Sequence, residues 1–530
     1  MKILVVSEFT GLGSTGYSAY YKEICSALHN AGHSVVELAS YGNSNNINHV
    51  KYKNKCKWKV ILNIPPANHP DMKLYSDWEN KYHNAKFGAW AFEIICAQEQ
   101  PDVVLAVRDH WYDEFIVRSP ASKYYVSVLS PTVDAMPQQA EWIDTFGRAD
   151  IITTYNEWSQ RWLQQQYKCE NLVSYISPSV SDEYKILDKT ACRNILGNHV
   201  PAGCKLVGTV MRNQKRKRFP DLFEAIRDSP NVYLHCHTAY PDKGWNIPSL
   251  ILANGIQDRV FLTYMCPKCG HVCAKKYSTR FPICVKCSSS MKTPDAQNGI
   301  SQSEMAKIYG SLDLYIQPVN SEGFGIPLIE SAKCGIRCTT TDYSAQVDVL
   351  RKVDGIPMKP LSLDLELETG CYRAVVDKKL LVDVLKDPES YNYKKEDIRA
   401  KFDENYSWDK TSKKWVDLIG SIKPKNLWNF PMDIKNPVSF EDLSKLNLDN
   451  EKYILYCILN VAFEPKLLGS YMHTNLLDNL NGGVRISSRD DGLITPVDRK
   501  YVYNVFREMI ERKNTWENQR SQLNQQLKKN

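Results

Sequence analysis

The sequence predicts an α/β protein made of two Rossmann-like domains facing across a cleft, with a small module inserted in the second and an α+β extension at the C-terminus. Three observations predict it. A short apolar strand, Ile3–Ser7, runs into a glycine-rich turn and a helix at the very start of the chain. The same strand–turn–helix grammar pauses near Ser177–Ser181 and restarts at the strand Lys205–Met211. A second glycine turn, Asn320–Glu330, links a strand over Leu312–Pro318 to a helix ending near Gly335. Alternation of strands with helical segments marks parallel sheets covered by helices, and 530 residues suffice for two large domains. The expected bounds are 1–185 and 186–400 for the two domains and 264–292 for the insert. A crossover helix over 401–423 and the extension 424–530 follow.

Composition narrows the class. With 43% hydrophobic and 24% charged residues the chain is ordinary for a soluble protein, and its net charge of +7 permits a polyanionic partner. No apolar run reaches membrane-spanning length, so no membrane partner is expected. Met1–Ser7 is too short for a signal peptide and reads as a buried strand. Sixteen cysteines without a leader predict a reducing, cytoplasmic location, the host cytoplasm if the protein is viral. Oligomeric state is not legible.

The first strand is followed by Gly11, Gly13 and Gly16, a helix over Tyr17–Ala31 and a second strand over Ser34–Ala39. Three glycines at a helix N-terminus favour an anionic ligand over a plain tight turn. Their spacing is not G-x-G-x-x-G, and only Glu37 stands near the end of the second strand, which argues against a dinucleotide dehydrogenase. Strands over Pro101–Val107, Tyr124–Leu129 and Ile151–Thr154 continue the sheet. Ligands of open α/β sheets gather at the carboxyl ends of strands, which singles out Asp109, His110 and Asp134. His110 and Asp134 are candidate acid–base groups; the plainer readings are a structural histidine and a capping aspartate.

In the second domain Lys205–Met211 runs into Arg212-Asn213-Gln214-Lys215-Arg216-Lys217-Arg218 and a helix from Pro220. Five cations between a buried strand and a helix N-terminus suit a diphosphate better than a solvated face, and Arg212 and Lys217 stand far enough apart to grip both ends of one. In Asn320-Ser321-Glu322-Gly323-Phe324-Gly325-Ile326-Pro327-Leu328-Ile329-Glu330, Pro327 suits a first helical turn and the glycines allow close approach of a ligand. Glu322 and Glu330 are poor phosphate ligands and good acceptors for the hydroxyls of a sugar or ribose.

Arg-x4-Lys after the first strand of a second Rossmann domain, then E-G-F-G-x-P-x-x-E, resembles the GT-B glycosyltransferases of retaining family four. Glu330-Ser331-Ala332-Lys333-Cys334-Gly335, Thr339-Thr340-Thr341-Asp342-Tyr343 and Phe402–Trp408 are similar to that family's later segments, so the resemblance covers roughly residues 1–420. It implies a nucleotide-sugar donor, a UDP-sugar, with Arg212 and Lys217 on its diphosphate and Glu330 on its ribose. Glu322 with the amides of Phe324 and Gly325 would hold the transferred sugar, Asn320, Ser321, Gly323 and Ile326 would belong to the same donor site, and Gly11, Gly13 and Gly16 would face the phosphates. It also implies catalysis by cations and dipoles without a metal. Where the family often places a histidine, this chain reads Pro131-Thr132-Val133-Asp134, so Asp134 is expected as a general base and the stereochemical outcome stays open.

The insert carries Cys266-Pro267-Lys268-Cys269, then fourteen residues, then Cys284-Val285-Lys286-Cys287. Two C-x-x-C knuckles read as a four-thiolate structural zinc ribbon, since four thiolates leave no open position on the metal. Its Lys268, Lys275, Lys276, Arg280 and Lys286, with no acid from Cys266 to Ser290, suit nucleic acid or, more plainly, a solvated loop. The expected acceptor is a hydroxymethylated base, 5-hydroxymethylcytosine, in viral DNA, as in bacteriophage DNA-modifying glycosyltransferases. A polysaccharide, lipid or protein acceptor and a non-catalytic nucleic-acid-binding protein on a GT-B frame are the alternatives. In the extension, a helical core around Tyr453–Ala462, a strand pair over Val484–Ile486 and Leu493–Ile494, and a helix from Thr495 are expected.

Overall fold

The computed structural model describes residues 1–428 apart from residues 13–15, 82, 243, 296–298 and 427, so Gly13 and the elements expected in the C-terminal extension lie outside the described residues. Two seven-stranded sheets carry the architecture. The first is built from β1 (Lys2–Ser7), β2 (Ser34–Asn43), β3 (Lys59–Ile64), β4 (Val103–Ala106), β5 (Val126–Leu129), β6 (Ile151–Thr154) and β7 (Leu172–Tyr175). Its order is β3-β2-β1-β4-β5-β6-β7, and every neighbouring pair is parallel. The second contains β8 (Lys205–Val210), β9 (Val232–His237), β10 (Val260–Met265), β11 (Val272–Lys276), β12 (Leu314–Gln317), β13 (Cys338–Thr341) and β14 (Ile356–Met358), ordered β11-β10-β9-β8-β12-β13-β14. A hairpin of β15 (Ser362–Leu365) and β16 (Tyr372–Val375) stands beside it.

The near-continuous apolar strands are explained by burial on both faces. In β1, Leu4 and Val6 enter one core layer and Ile3 and Val5 the other. In β12, Leu314 and Ile316 face one layer while Tyr315 faces the opposite one. The layer holding Ile3 and Val5 also contains Tyr309, Phe324 and Trp415, so one hydrophobic cluster runs between the two domains.

The closing segment is two helices, Lys395–Asn405 and Trp408–Ser421, broken at Tyr406 because Ser407 caps the second by accepting from the Lys410 amide. The second helix returns to the first domain: Trp415 is fully buried and donates through Nε1 to the Tyr20 hydroxyl at 2.9 Å.

The insert is fused to the second sheet. β11 pairs antiparallel with β10, Met265↔Val272 through Phe261↔Lys276, and so becomes the edge strand of an otherwise parallel sheet. Among the described residues no helix is long and apolar enough to cross a membrane.

Candidate active site

Strand order reverses between β1 and β4 in the first sheet and between β8 and β12 in the second. Such switch points open a crevice at the carboxyl ends of the strands, where α/β sheets bind ligands. The two crevices face each other. A Cβ added to Gly16 would lie 3.5 Å from Ile326 of the other domain, and one added to Gly323 would collide with Thr132 at 2.0 Å. Gly323 is required by that close crossing, and Gly325, at φ 93°, by its left-handed backbone at the start of the helix Ile326–Lys333.

On the first-domain side, Glu37 holds the glycine turn. Its Oε1 accepts from Ser7 Oγ (2.6 Å) and the Thr10 amide (2.7 Å), and its Oε2 from Thr10 Oγ1 (2.7 Å) and Trp58 Nε1 (2.9 Å). The carboxylate is thus spent on tying the loop to the second strand. Gly11 lies inside that turn, where a Cβ would strike Phe9 at 2.4 Å. At the end of β4, Arg108 is buried and fixed by Asp113 (Nε to Oδ1, 2.7 Å), Ser40 Oγ (2.6 Å) and the Phe87 carbonyl (3.2 Å). Asp109 follows it and faces the Tyr17 hydroxyl at 3.3 Å.

On the second-domain side Glu322 is buried and ion-paired with Lys217 Nζ and with Arg216 Nη1, the latter at 2.9 Å. Gln317 Nε2 donates to its Oε1 at 3.0 Å, and Ser344 Oγ receives its amide at 2.9 Å. Burial alone would raise the Glu322 pKa; Arg216 and Lys217 override it and hold the carboxylate well below the usual range. Lys217 is pushed down, chiefly by burial and then by neighbouring Arg216. A cation whose charge is held this weakly beside an anion suits exchange onto a ligand diphosphate.

Arg216 is the member that reading the sequence missed as an individual. The same Nη1 donates to the Ser321 carbonyl at 2.8 Å, tying the basic turn to the glycine turn. Nothing in a run of five cations distinguishes the one whose turn aims inward.

Arg373, from β16, is the second residue missed. It joins Asp134 Oδ2 at 2.9 Å, Ser321 Oγ at 2.6 Å and Glu366 Oε2 at 3.0 Å, closing the hairpin over the cleft. The cleft thus brings together Glu322, Ser321, Lys217 and Asp134, with Asn320 beside them donating its amide to the Arg216 carbonyl at 3.1 Å.

Other expected residues are placed differently. Arg212 is 66% exposed, with Asp242 at 4.0 Å and Tyr41 of the first domain near enough to feel its charge. It stands at the cleft mouth rather than against Glu322. The Phe324 ring packs into the core against Tyr155 and Tyr406, which leaves only its backbone for a ligand. Glu330 accepts from the hydroxyls of Tyr184 (2.8 Å) and Tyr309 (2.6 Å), and burial raises its pKa. His110 does not fit an acid–base role. It is 4% exposed among Trp111, Trp142 and Phe146, neither ring nitrogen has a hydrogen-bond partner among the described residues, and burial lowers its pKa to about 3. A helix beginning at His110 turns that side chain away from the strand end that holds Asp109.

In the insert, the sulfurs of Cys266, Cys269, Cys284 and Cys287 all lie within 4.8 Å of one another, with Cys266–Cys287 at 3.3 Å and Cys269–Cys284 at 3.6 Å. Tetrahedral zinc with Zn–S of about 2.3 Å needs sulfurs about 3.8 Å apart, and a disulfide needs about 2.05 Å. The donor set fits zinc. Each knuckle closes alike: Gly270 and Ser288 adopt left-handed φ of 70° and 54° and donate to the carbonyls of Cys266 and Cys284. Cys273 is outside the cluster, against Met291 Sδ at 3.8 Å. The five cations are exposed but not gathered: Lys268 and Lys286 sit in the knuckles, whereas Lys275 and Lys276 pair with Leu262 and Phe261 down the outer edge.

Residues 296–360 match the family model described as glycosyl transferases group 1. No curated protein sequence matches the chain. Among solved structures, sucrose-phosphate synthase from Thermosynechococcus elongatus is similar with a TM-score of 0.56 at 14% identity, covering 79% of this chain and 98% of that one. HepE from Anabaena, in complex with UDP and glucose, aligns with a TM-score of 0.53 at 13% identity over 80% of this chain and all (100%) of that one. A glycosyltransferase from Rickettsia africae gives 0.51 at 14% identity, over 79% and 99%. The chain therefore has the two-domain GT-B fold of glycosyltransferases, and the stretch that forms the second-domain wall of its cleft carries the group 1 glycosyl transferase pattern.

Proposed function

We propose that the protein is a glycosyltransferase that moves a sugar from a nucleotide-sugar, a UDP-sugar, to an acceptor hydroxyl. The observation that carries this is the buried Glu322 carboxylate held between Lys217 and Arg216 at one switch point, opposite the glycine turn and helix start at the other. Glu322 would accept from sugar hydroxyls. Lys217 at the site, with Arg212 from the mouth, would neutralise the departing diphosphate, and Glu330 would take the ribose. Gly11, Gly13 and Gly16 would bring backbone amides to the phosphates. The roles are electrostatic and hydrogen-bonding, so the transfer step itself asks for no metal; Cys266, Cys269, Cys284 and Cys287 would hold zinc as a structural brace. Its contribution is to fix the two knuckles against β10.

The proposed acceptor is the hydroxymethyl group of a modified cytosine in viral DNA, flipped out of the helix to reach the anomeric carbon. Support comes from the acid-free, basic insert rooted at the carboxyl end of β10, two strands or about 10 Å from β8. Lys268, Lys286 and Arg280 are exposed there. Lys275 and Lys276 suit a second purpose, because lysines on an edge strand block unwanted pairing.

The test is a transfer assay with a panel of nucleotide-sugars and duplex DNA containing 5-hydroxymethylcytosine, the digested nucleosides being weighed. A hexose or pentose increment on the modified base is expected. Donor turnover without a DNA product would move the acceptor to polysaccharide, lipid or protein. Absence of nucleotide binding would overturn the enzymatic reading. Glu322→Ala separates enzyme from binding module: transfer should vanish while any DNA affinity persists.

A further inference from the structure

Two aspartates face the cleft from the first domain, and their surroundings differ. Asp134 is engaged: its Oδ2 pairs with Arg373 at 2.9 Å and lies 3.5 Å from Ser321 Oγ. That oxygen is occupied by the guanidinium, which also takes Ser321 Oγ at 2.6 Å. Asp109 occupies the N-cap position of the helix His110–Arg118, with extended backbone (φ −60°, ψ 132°), yet its side chain makes no capping bond. Aspartate is among the best capping residues and normally accepts from the first helical turn. Its Oδ1 accepts instead from the Tyr17 hydroxyl at 3.3 Å, and that hydroxyl lies 2.6 Å from Thr132 Oγ1. Among the described residues no cation forms an ion pair with it. The preceding Arg108 is buried and tied to Asp113, Ser40 and Phe87, so its charge is spent within the first domain.

We infer that Asp109 is the group that takes the proton of the acceptor hydroxyl, and that Asp134, held by Arg373, is a positioning residue beside it. This rests on the nucleotide-sugar reading and replaces Asp134 in the base role. In the step, the acceptor oxygen bonds to the anomeric carbon as the bond from that carbon to the diphosphate oxygen breaks. The electron pair leaves on the diphosphate, and the hydroxyl proton passes to Asp109. The groups facing Asp109 are Tyr17 from the first helix, Tyr112 on its own helix, Tyr155 after β6, Asp134 after β5 and Arg216 from the other domain, with Tyr17 and Thr132 bonding to its carboxylate. Burial and then the Asp134 charge raise its pKa to about 7, with Arg216 opposing. A base that titrates there is matched to neutral pH.

The experiment uses the full chain, UDP binding by calorimetry, and UDP release from UDP-glucose, UDP-galactose and UDP-N-acetylglucosamine with water or DNA as acceptor. Asp109→Asn should bind UDP within about twofold of the unmodified protein, melt no lower than it, and release UDP at least about 100-fold more slowly. Asp109→Glu should recover part of the rate. In the unmodified protein the rate should rise with pH through an inflection near 7, and Asp134→Asn should move that inflection to lower pH by removing a neighbouring negative charge. Unchanged release in Asp109→Asn, or an inflection that Asp134→Asn leaves in place, overturns the assignment and leaves the nucleotide-sugar reading standing. Failure of the unmodified protein to bind UDP overturns both.

Discussion

Glu322 and Asp109 are acids in one cleft whose acidities are driven apart by what stands beside them. Glu322 has two cations at bonding distance, so it stays ionised despite burial. Asp109 has burial and another carboxylate, so its charged form is disfavoured. Arg216 should matter as much as the conspicuous Lys217, because one guanidinium nitrogen spans Glu322 and the Ser321 carbonyl. Arg216→Ala is expected to weaken UDP binding by about 10- to 100-fold, the scale of one charge-assisted hydrogen bond, read by calorimetric titration. Arg216→Lys should not restore it, since an ammonium lacks the planar fork. The raised pKa of Asp109 also has a thermodynamic signature. The folded protein binds a proton that the unfolded chain has released between about pH 4 and the folded value near 7, so this group's contribution to stability falls as pH rises through that window. Urea midpoints measured from pH 4 to 8 should fall less steeply in Asp109→Asn. The two proteins should diverge by at most about 1.4 kcal/mol for each pH step of one inside the window.

At the scale of elements, the insert behaves as an edge that has been braced. β11 would be a bare antiparallel edge strand, and its Lys275 and Lys276 are exposed as such edges require. The cysteine knuckles cap the end of the β10–β11 hairpin, where Lys292 pairs back to Met265. The protein is expected to contain one zinc per chain by atomic emission. Cys269→Ser, or strong chelation, should raise amide hydrogen exchange over residues 260–292 and leave the helix Trp408–Ser421 protected. Equal loosening of both would mean that the brace supports the whole fold. C-x-x-C spacing made the knuckles legible from sequence because metal chelation depends on local turns. The β10–β11 pairing was not legible, because strand partners are chosen by register across distant segments.

For the molecule as a whole, the cleft depends on how the two sheets are held face to face. The returning helix does much of this through Trp415, buried on Tyr20 of the first domain, and Thr411, whose hydroxyl donates to the Ser177 carbonyl at 2.8 Å. Trp415→Ala should cost about 3–5 kcal/mol and split a single denaturant transition into two, followed by fluorescence and circular dichroism together. A single transition with a lowered midpoint would place its role inside one domain.

The strand–turn–helix units, the two glycine turns, the Glu322–Glu330 stretch and the four-cysteine cluster were readable by themselves, because strand burial, helix starts and cysteine knuckles are set by residues close in the chain. Four things were decided only by tertiary structure. His110 went into an aromatic pocket because its helix starts one residue after the strand-end acid. Asp134 was claimed by Arg373, nearly 240 residues away. Arg216 rather than Arg212 joined Lys217 at Glu322, because the basic run folds into a short turn that aims those two side chains inward. Asp109 was left facing the cleft with no ion partner among the described residues, its neighbour Arg108 being paired with Asp113. Local sequence determines which side chains can carry charge; which charges meet, and so which acid is free to take a proton, depends on the crossing of two sheets that no short stretch encodes.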